Sequence, residues 1–79
     1  MKKDLYVVYS NYHNKYFGGL EFKFPSWTRS IQNCYWFLTK EKALKFIEDY
    51  KLEKTCEIKD CIATYPENSE ATISLKKGE

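Results

Sequence analysis

The sequence predicts an α+β domain: a small, mainly antiparallel sheet of about four strands with one amphipathic helix packed on one face, in the order ββαββ. Three observations carry this reading. Segments rich in β-branched and aromatic residues stand near both ends, Leu5-Tyr6-Val7-Val8-Tyr9 and Ala71-Thr72-Ile73-Ser74-Leu75, as strands require. Between them Ala43, Phe46, Ile47 and Tyr50 recur at three- and four-residue steps, the stripe of a helix. The chain has 79 residues, and a chain of that size buries only roughly 60 to 65% of its unfolded surface. One domain spanning residues 1–79 is therefore expected, with no deep two-domain cleft.

The first strand is read over Leu5 to Tyr12, with Leu5, Val7 and Tyr9 on one face and Tyr6, Val8 and Tyr12 on the other. Two apolar faces suit an inner strand, or one whose second face meets a partner. His13-Asn14 is a polar break. Lys15-Tyr16-Phe17 resumes the strand, and Gly18-Gly19 permits a bulge or tight bend. Leu20, Phe22 and Phe24 then alternate with Glu21 and Lys23, so the three apolar side chains are expected to form a core face. Residues 26–33 read as a polar connection anchored by Trp27 and Ile31, whose spacing suits a single helical turn. Cys34 to Leu38 is a short buried run that a strand or the end of that turn supplies equally well.

Thr39 caps the expected helix with its hydroxyl, and Glu41 lies in the favoured acidic first turn. The helix is expected to run to about Leu52, with a Glu41–Lys45 pair on its outer face. Cys56 to Tyr65 reads as a strand whose parity shifts at a bulge near Asp60. Pro66-Glu67-Asn68-Ser69 is turn chemistry leading to a last hairpin, and Lys76 to Glu79 a frayed tail.

Composition narrows the function. Seven Tyr, five Phe and two Trp argue against disorder. The longest apolar runs, Leu5–Tyr9 and Cys34–Leu38, are five residues each, against roughly 20 for a membrane span. Asp4 follows Met1-Lys2-Lys3 too soon for a signal peptide. A soluble, cytoplasmic protein without a membrane partner is expected. The net charge of +2 is too small to recruit nucleic acid wholesale, and the single Arg leaves little for bidentate phosphate or base recognition. Cys34, Cys56 and Cys61 are an odd number, which suits reduced thiols packed in a core. Four residues separate Cys56 from Cys61 and no second knuckle follows, so neither metal nor any other cofactor is expected.

His13, the only histidine, reads as a solvated turn residue, and no cysteine is placed to act beside it as a nucleophile. Phosphate-cradling loops, nucleophile elbows and zincin helices are missing from the sequence. The chain is not expected to be an enzyme. Lys15 to Phe24 mixes cations, Gly and rings as single-stranded nucleic-acid binders do, but in a scrambled order; such a binder is the alternative reading. The stronger signal is the surplus of rings, more than so small an interior hides. Tyr9, Tyr12, Tyr16, Tyr35 and Trp36 are the candidate partner-binding anchors, with Lys15, Lys23 and Arg29 as the cations beside them. Trp27 and Trp36 also suit a structural role, covering the open face of a thin sheet.

The stretch Trp27-Thr28, Ile31, Cys34, Phe37, Thr39-Lys40-Glu41-Lys42-Ala43 and Phe46-Ile47, preceded by an aromatic hairpin, resembles small accessory proteins of bacteriophages and mobile elements. Cys34 stands where that pattern usually has Ala. The resemblance covers about residues 5–65 and implies a non-enzymatic protein that binds and disables a bacterial host factor, as anti-CRISPR proteins do with defence nuclease complexes, in the host cytoplasm. It carries over no catalytic residue. A sheet face or edge opposite the helix is the expected docking surface, and a homodimer that hides one apolar face of the first strand is a second possibility.

Overall fold

In the computed structural model, which describes residues 2–64 and 72–75, the first strand is the middle of the molecule. This β1 (Lys2–Ser10) buries Leu5 and Val7 on one face and Val8 on the other, as its two apolar faces require. On one side it pairs with β4 (Cys56–Thr64), and beyond that lies β5 (Thr72–Leu75). On the other side stand β2 (Lys15–Glu21) and β3 (Phe24–Thr28). The sheet has five antiparallel strands in the order β3-β2-β1-β4-β5. The α+β class, the antiparallel sheet and the single helix agree with the sequence reading, and the element order becomes βββαββ because residues 24–28, assigned to a strand end and a connection, form a strand. Pro25 suits an edge strand, since it has no N–H to offer a further neighbour.

Helix α1 (Lys40–Asp49) begins where expected: the Thr39 hydroxyl accepts the Lys42 N–H at 3.2 Å. It ends three residues earlier than its apolar pattern suggests. Lys51 adopts φ 55°, and the Leu52 N–H reaches the Ile47 carbonyl at 2.9 Å while the Lys51 N–H reaches Glu48 at 3.2 Å. These are the two closing bonds of a Schellman motif. They turn Leu52 back against the helix, which accounts for its place in the periodicity. On the outer face Lys45 pairs with Asp49, at 3.7 Å, rather than with Glu41.

Two further expectations are corrected. The β1–β4 register runs unbroken from Lys2↔Thr64 to Ser10↔Cys56, so Asp60 carries no bulge; the register shift lies at Phe17/Gly19, in the diglycine strand. Leu20, Phe22 and Phe24 form no core face, because Phe22 and Lys23 make a tight turn between β2 and β3. The Pro66–Ser69 turn and the Lys76–Glu79 tail lie outside the described residues.

Side chains fill both sides of the sheet. On one side α1 lies over β1 and β4, where Ala43 and Ile47 meet Val8, Phe17, Phe37 and Cys56. On the other, a 3₁₀ turn at Ile31–Asn33 brings Ile31 and Cys34 against Leu5, Val7, Cys61, Ala63 and Ile73. The chain passes between these sides through the sheet itself. β1 and β2 pair only at Tyr9↔Tyr16 and Ser10↔Lys15; past that point residues 35–37 occupy the gap. The Tyr35 N–H donates to the Phe17 carbonyl at 2.8 Å, and Phe37 exchanges bonds of 2.7 and 2.9 Å with Tyr6. Backbone groups that the splayed strands expose are thereby satisfied.

Candidate partner-binding surface

The wedge at residues 35–37 sets the geometry of the helix side. Because it forces β2 away from β1 while α1 covers β1 and β4, the outer half of the β2–β3 hairpin receives no cover from the helix. A groove of about 220 Å³ remains, lined by Phe17, Leu20, Tyr35, Phe37 and Phe46. Its floor is a ring cluster: Phe17 lies 4.1 Å from Phe46 and 6.2 Å from Phe37, and Tyr35 lies 4.9 Å from Phe37, between centroids. Rings at these separations hold one another in offset and edge-on poses, so the groove is preformed.

The hairpin tip projects from one end of this groove. Gly19 takes φ 113° at the bulge, and the Ser26 hydroxyl donates to its carbonyl at 2.8 Å. Beyond it Glu21 pairs with Phe24, leaving a two-residue turn in which Phe22 and Lys23 both have positive φ, 50° and 70°. That is the sign pattern of a type I′ turn, the connection whose twist matches a hairpin. Glycine or asparagine is the usual occupant, and here an aromatic and a lysine take the strained positions. Phe22 is 94% exposed, Phe24 72%, Leu20 52% and Tyr35 50%.

The sheet edges are less available. At β5 the outward Ile73 N–H is taken by the Gln32 side-chain carbonyl at 2.9 Å, and β3 carries Pro25. Both features blunt strand addition. The face opposite the helix is partly roofed by the 3₁₀ turn, and its uncovered portion holds Tyr9 and Tyr16, half-buried and edge-on at 5.1 Å, with the Lys59 ammonium 4.9 Å from the Tyr9 centroid. Burial pushes the Tyr16 phenol up, with Cys61, Tyr9 and Cys34 adding to it.

The sequence-predicted residues are thus not gathered in one place. Tyr9 and Tyr16 share the face opposite the helix, and Tyr35 lines the groove. Tyr12 is exposed in the β1–β2 turn, edge-on to His13 at 4.9 Å. Lys15 and Lys23 sit at opposite ends of the β2 segment, Arg29 is exposed just past β3, and the exposed Trp36 donates its indole N–H to the Ile31 carbonyl at 3.3 Å. Trp27 is half-buried against Phe17 and His13. The ring surplus does reach solvent, but Phe22 and Phe24 carry much of it, and sequence reasoning misses both because their alternation imitates a core strand. The detectable signal was the surplus itself, which the interior lacks room to absorb.

Nucleophilic chemistry finds little support in these surroundings. All three cysteines are buried free thiols. Burial, then the neighbouring Cys61, pushes Cys34 up to about 12, and burial with Asp60 pushes Cys61 up to about 11. A thiol so shifted holds its proton and reacts slowly. Among the described residues no three His, Cys, Asp or Glu side chains converge as metal ligands, and no helix is long and apolar enough to cross a membrane. Comparison with protein-family models, curated proteins and solved structures finds no match.

Proposed function

We propose that this chain is a non-enzymatic binding module that acts by occupying a surface of a bacterial host protein, in the manner of phage-encoded inhibitors of host factors. One observation carries the reading: Phe22 stands in solvent on a strained two-residue turn, with exposed Leu20 on β2 lining a preformed aromatic groove behind it and exposed Phe24 on the other face of the hairpin. Exposed rings at a rigid tip bring apolar area to an interface at small entropic cost, the property of interface hot spots. Inhibition by masking needs area and no chemistry, and about 800 Å² per partner is within reach of a domain this size. A defence nuclease complex in the host cytoplasm is the partner class that the phage resemblance supplies.

The test is stoichiometric capture of a discrete host protein by the immobilised chain, followed by titration with that protein purified and assay of its activity. Phe22→Ser and Phe24→Ser are expected to weaken the complex at least about tenfold each, since removing a buried ring costs roughly 1.5–3 kcal/mol, with melting temperatures unchanged. Retained affinity in both variants would remove the tip from the interface.

A second reading has an observation of its own: Phe22-Lys23-Phe24 places a cation between two exposed rings, the combination that stacks bases and meets phosphate. It predicts salt-dependent binding of a labelled single-stranded oligonucleotide, lost in Lys23→Ala combined with Phe22→Ala.

A further inference from the structure

We infer that the β1–β2 turn and the strand ends beside it bind single-stranded nucleic acid, a base stacking on Tyr12 while the adjoining phosphates meet Lys15 and Arg29. This is the end of the β2–β3 hairpin away from its tip, and the inference rests on neither reading of that tip. The chain's only His and only Arg stand here. A net charge of +2 is too small to draw nucleic acid to the whole surface, but a local cluster of cations does not need it.

Register brings the groups together. Phe17 and Trp27 are a cross-strand pair on the helix side of the sheet. Alternation along β2 puts Lys15 on that face, two residues before Phe17, and the same step past the end of β3 puts Arg29 there, two residues beyond Trp27. His13 joins them from the turn: its ring lies 5.1 Å from that of Trp27, with 31° between the planes, and Tyr12 stands edge-on to it at 4.9 Å. Like charges facing each other across neighbouring strands repel. Among the described residues neither Lys15 nor Arg29 forms an ion pair, those present being Lys45–Asp49 and Lys59–Glu57. An anion is the partner that this pair of cations lacks.

The turn is tied down on several sides. The Asn11 N–H donates to the Thr55 carbonyl at 2.7 Å, and the Asn14 N–H to the Ser10 carbonyl at 2.8 Å. The His13 N–H donates to the buried Ser10 hydroxyl at 3.0 Å, and the Asn11 amide to the Glu57 carboxylate at 2.9 Å. Glu57 pairs with Tyr9, on the face away from the helix, and Lys59 neutralises it there. It therefore does not compete for Lys15 and Arg29. The shape of the site selects the class of ligand. Small ligands are held in concave pockets that bury most of their surface, whereas Tyr12 is 76% exposed and offers an open platform. Open ring platforms with cations alongside are how single strands are bound, with little preference for sequence. A duplex keeps its base faces stacked on one another and leaves such a platform nothing to take.

Fluorescence anisotropy of a labelled oligodeoxyadenylate, titrated with the purified full chain, is expected to give a dissociation constant of about 10⁻⁴ to 10⁻⁶ M. The same strand in a duplex, and free adenosine monophosphate, should bind at least about tenfold more weakly. Two phosphate contacts predict a slope of about −1.4 in the logarithm of affinity against that of salt, falling to about −0.7 in Arg29→Gln. Tyr12→Ala is expected to weaken binding at least about fivefold and Tyr12→Phe to restore it, because the ring face carries the stacking. Both positions are exposed, so unchanged melting temperatures show that the fold is kept. Lys45→Gln, the same loss of charge on α1, should leave the affinity within about twofold. No binding up to about 1 mM protein, tenfold above the expected range, overturns the inference, as do equal losses in Arg29→Gln and Lys45→Gln. Adenosine monophosphate bound as tightly as the strand overturns it in favour of a free nucleotide. Binding abolished by Phe22→Ala with Lys23→Ala but untouched by Tyr12→Ala overturns it in favour of the hairpin tip.

Discussion

On the helix side of the sheet Phe17, Phe37 and Phe46 pack beside Val8, Ala43, Ile47 and Cys56; on the other side Leu5, Val7, Cys34, Cys61, Ala63 and Ile73 pack with no phenylalanine among them. Rings are rigid plates that meet at angles, and one from β2, one from the residues 35–37 segment and one from α1 itself leave a slot open to water. Smaller side chains under a 3₁₀ turn close up, and Val7, Cys61 and Ala63 lose all their exposure, as Val8 and Ala43 do directly beneath the helix; only the ring end of the helix side stays open. The same sheet thus has a closed layer that stabilises and a loosely covered one with a surface to offer. The segment at residues 34–37 belongs to both: Cys34 seals one layer and Tyr35 walls the slot in the other. What separates binding from stability here is the size of the side chains assigned to each face.

The contrast is broken most severely by Phe17→Ala. Phe17 is buried and touches Trp27, Tyr35, Phe37 and Phe46, so its loss is expected to cost about 3–5 kcal/mol, near the whole stability of so small a domain. Urea unfolding measures it; a cost under 1 kcal/mol would mean that the ring cluster is too loose to hold the groove. Adding volume to the closed layer discriminates next. Ala63→Leu is expected to cost about 1–3 kcal/mol through overpacking, whereas Leu44→Ala, on the exposed side of α1, should stay within about 0.5 kcal/mol. Equal effects would show that the closed layer has slack.

Alkaline pH probes the same layer without mutation. Cys34 and Cys61 have raised folded values, so the fold favours their protonated form. Their contribution is complete below the ordinary thiol value near 9 and is lost as pH rises from 9 toward about 12 for Cys34 and about 11 for Cys61. Each is expected to remove about 1.4 kcal/mol per pH unit within its window. Melting temperatures between pH 8 and 11 test this; Cys34→Ala should flatten the decline. The smallest effect concerns the edge: Gln32→Ala frees the Ile73 N–H and should cost about 1 kcal/mol, with faster hydrogen exchange at Ile73 as its local signature.

Local signals were enough where one residue's chemistry defines an element. The Thr39 cap and the Ala43-Phe46-Ile47 stripe mark α1, the two apolar faces of β1 mark a central strand, and the diglycine marks the bulge. They failed at Leu20 to Phe24, where strict alternation is also the pattern of two strands meeting at a turn. No glycine or asparagine announced that turn; Phe22 and Lys23 are held at positive φ by the β2–β3 pairing on either side, and pairing is a long-range property. The helix end failed for a related reason, since Leu52 keeps the period although the backbone reverses at Lys51.

By itself, then, the amino-acid sequence determined the class of fold, the place of the helix and the excess of rings, because each follows from local periodicity or from a count of side chains against a small interior. Which rings reach water was decided by tertiary structure alone. Insertion of residues 35–37 between β1 and β2 satisfies backbone groups and parts the sheet, and that parting opens the groove and leaves the hairpin tip in solvent. Hydrogen bonds between residues far apart in the chain set that arrangement, and no window of neighbouring residues encodes them.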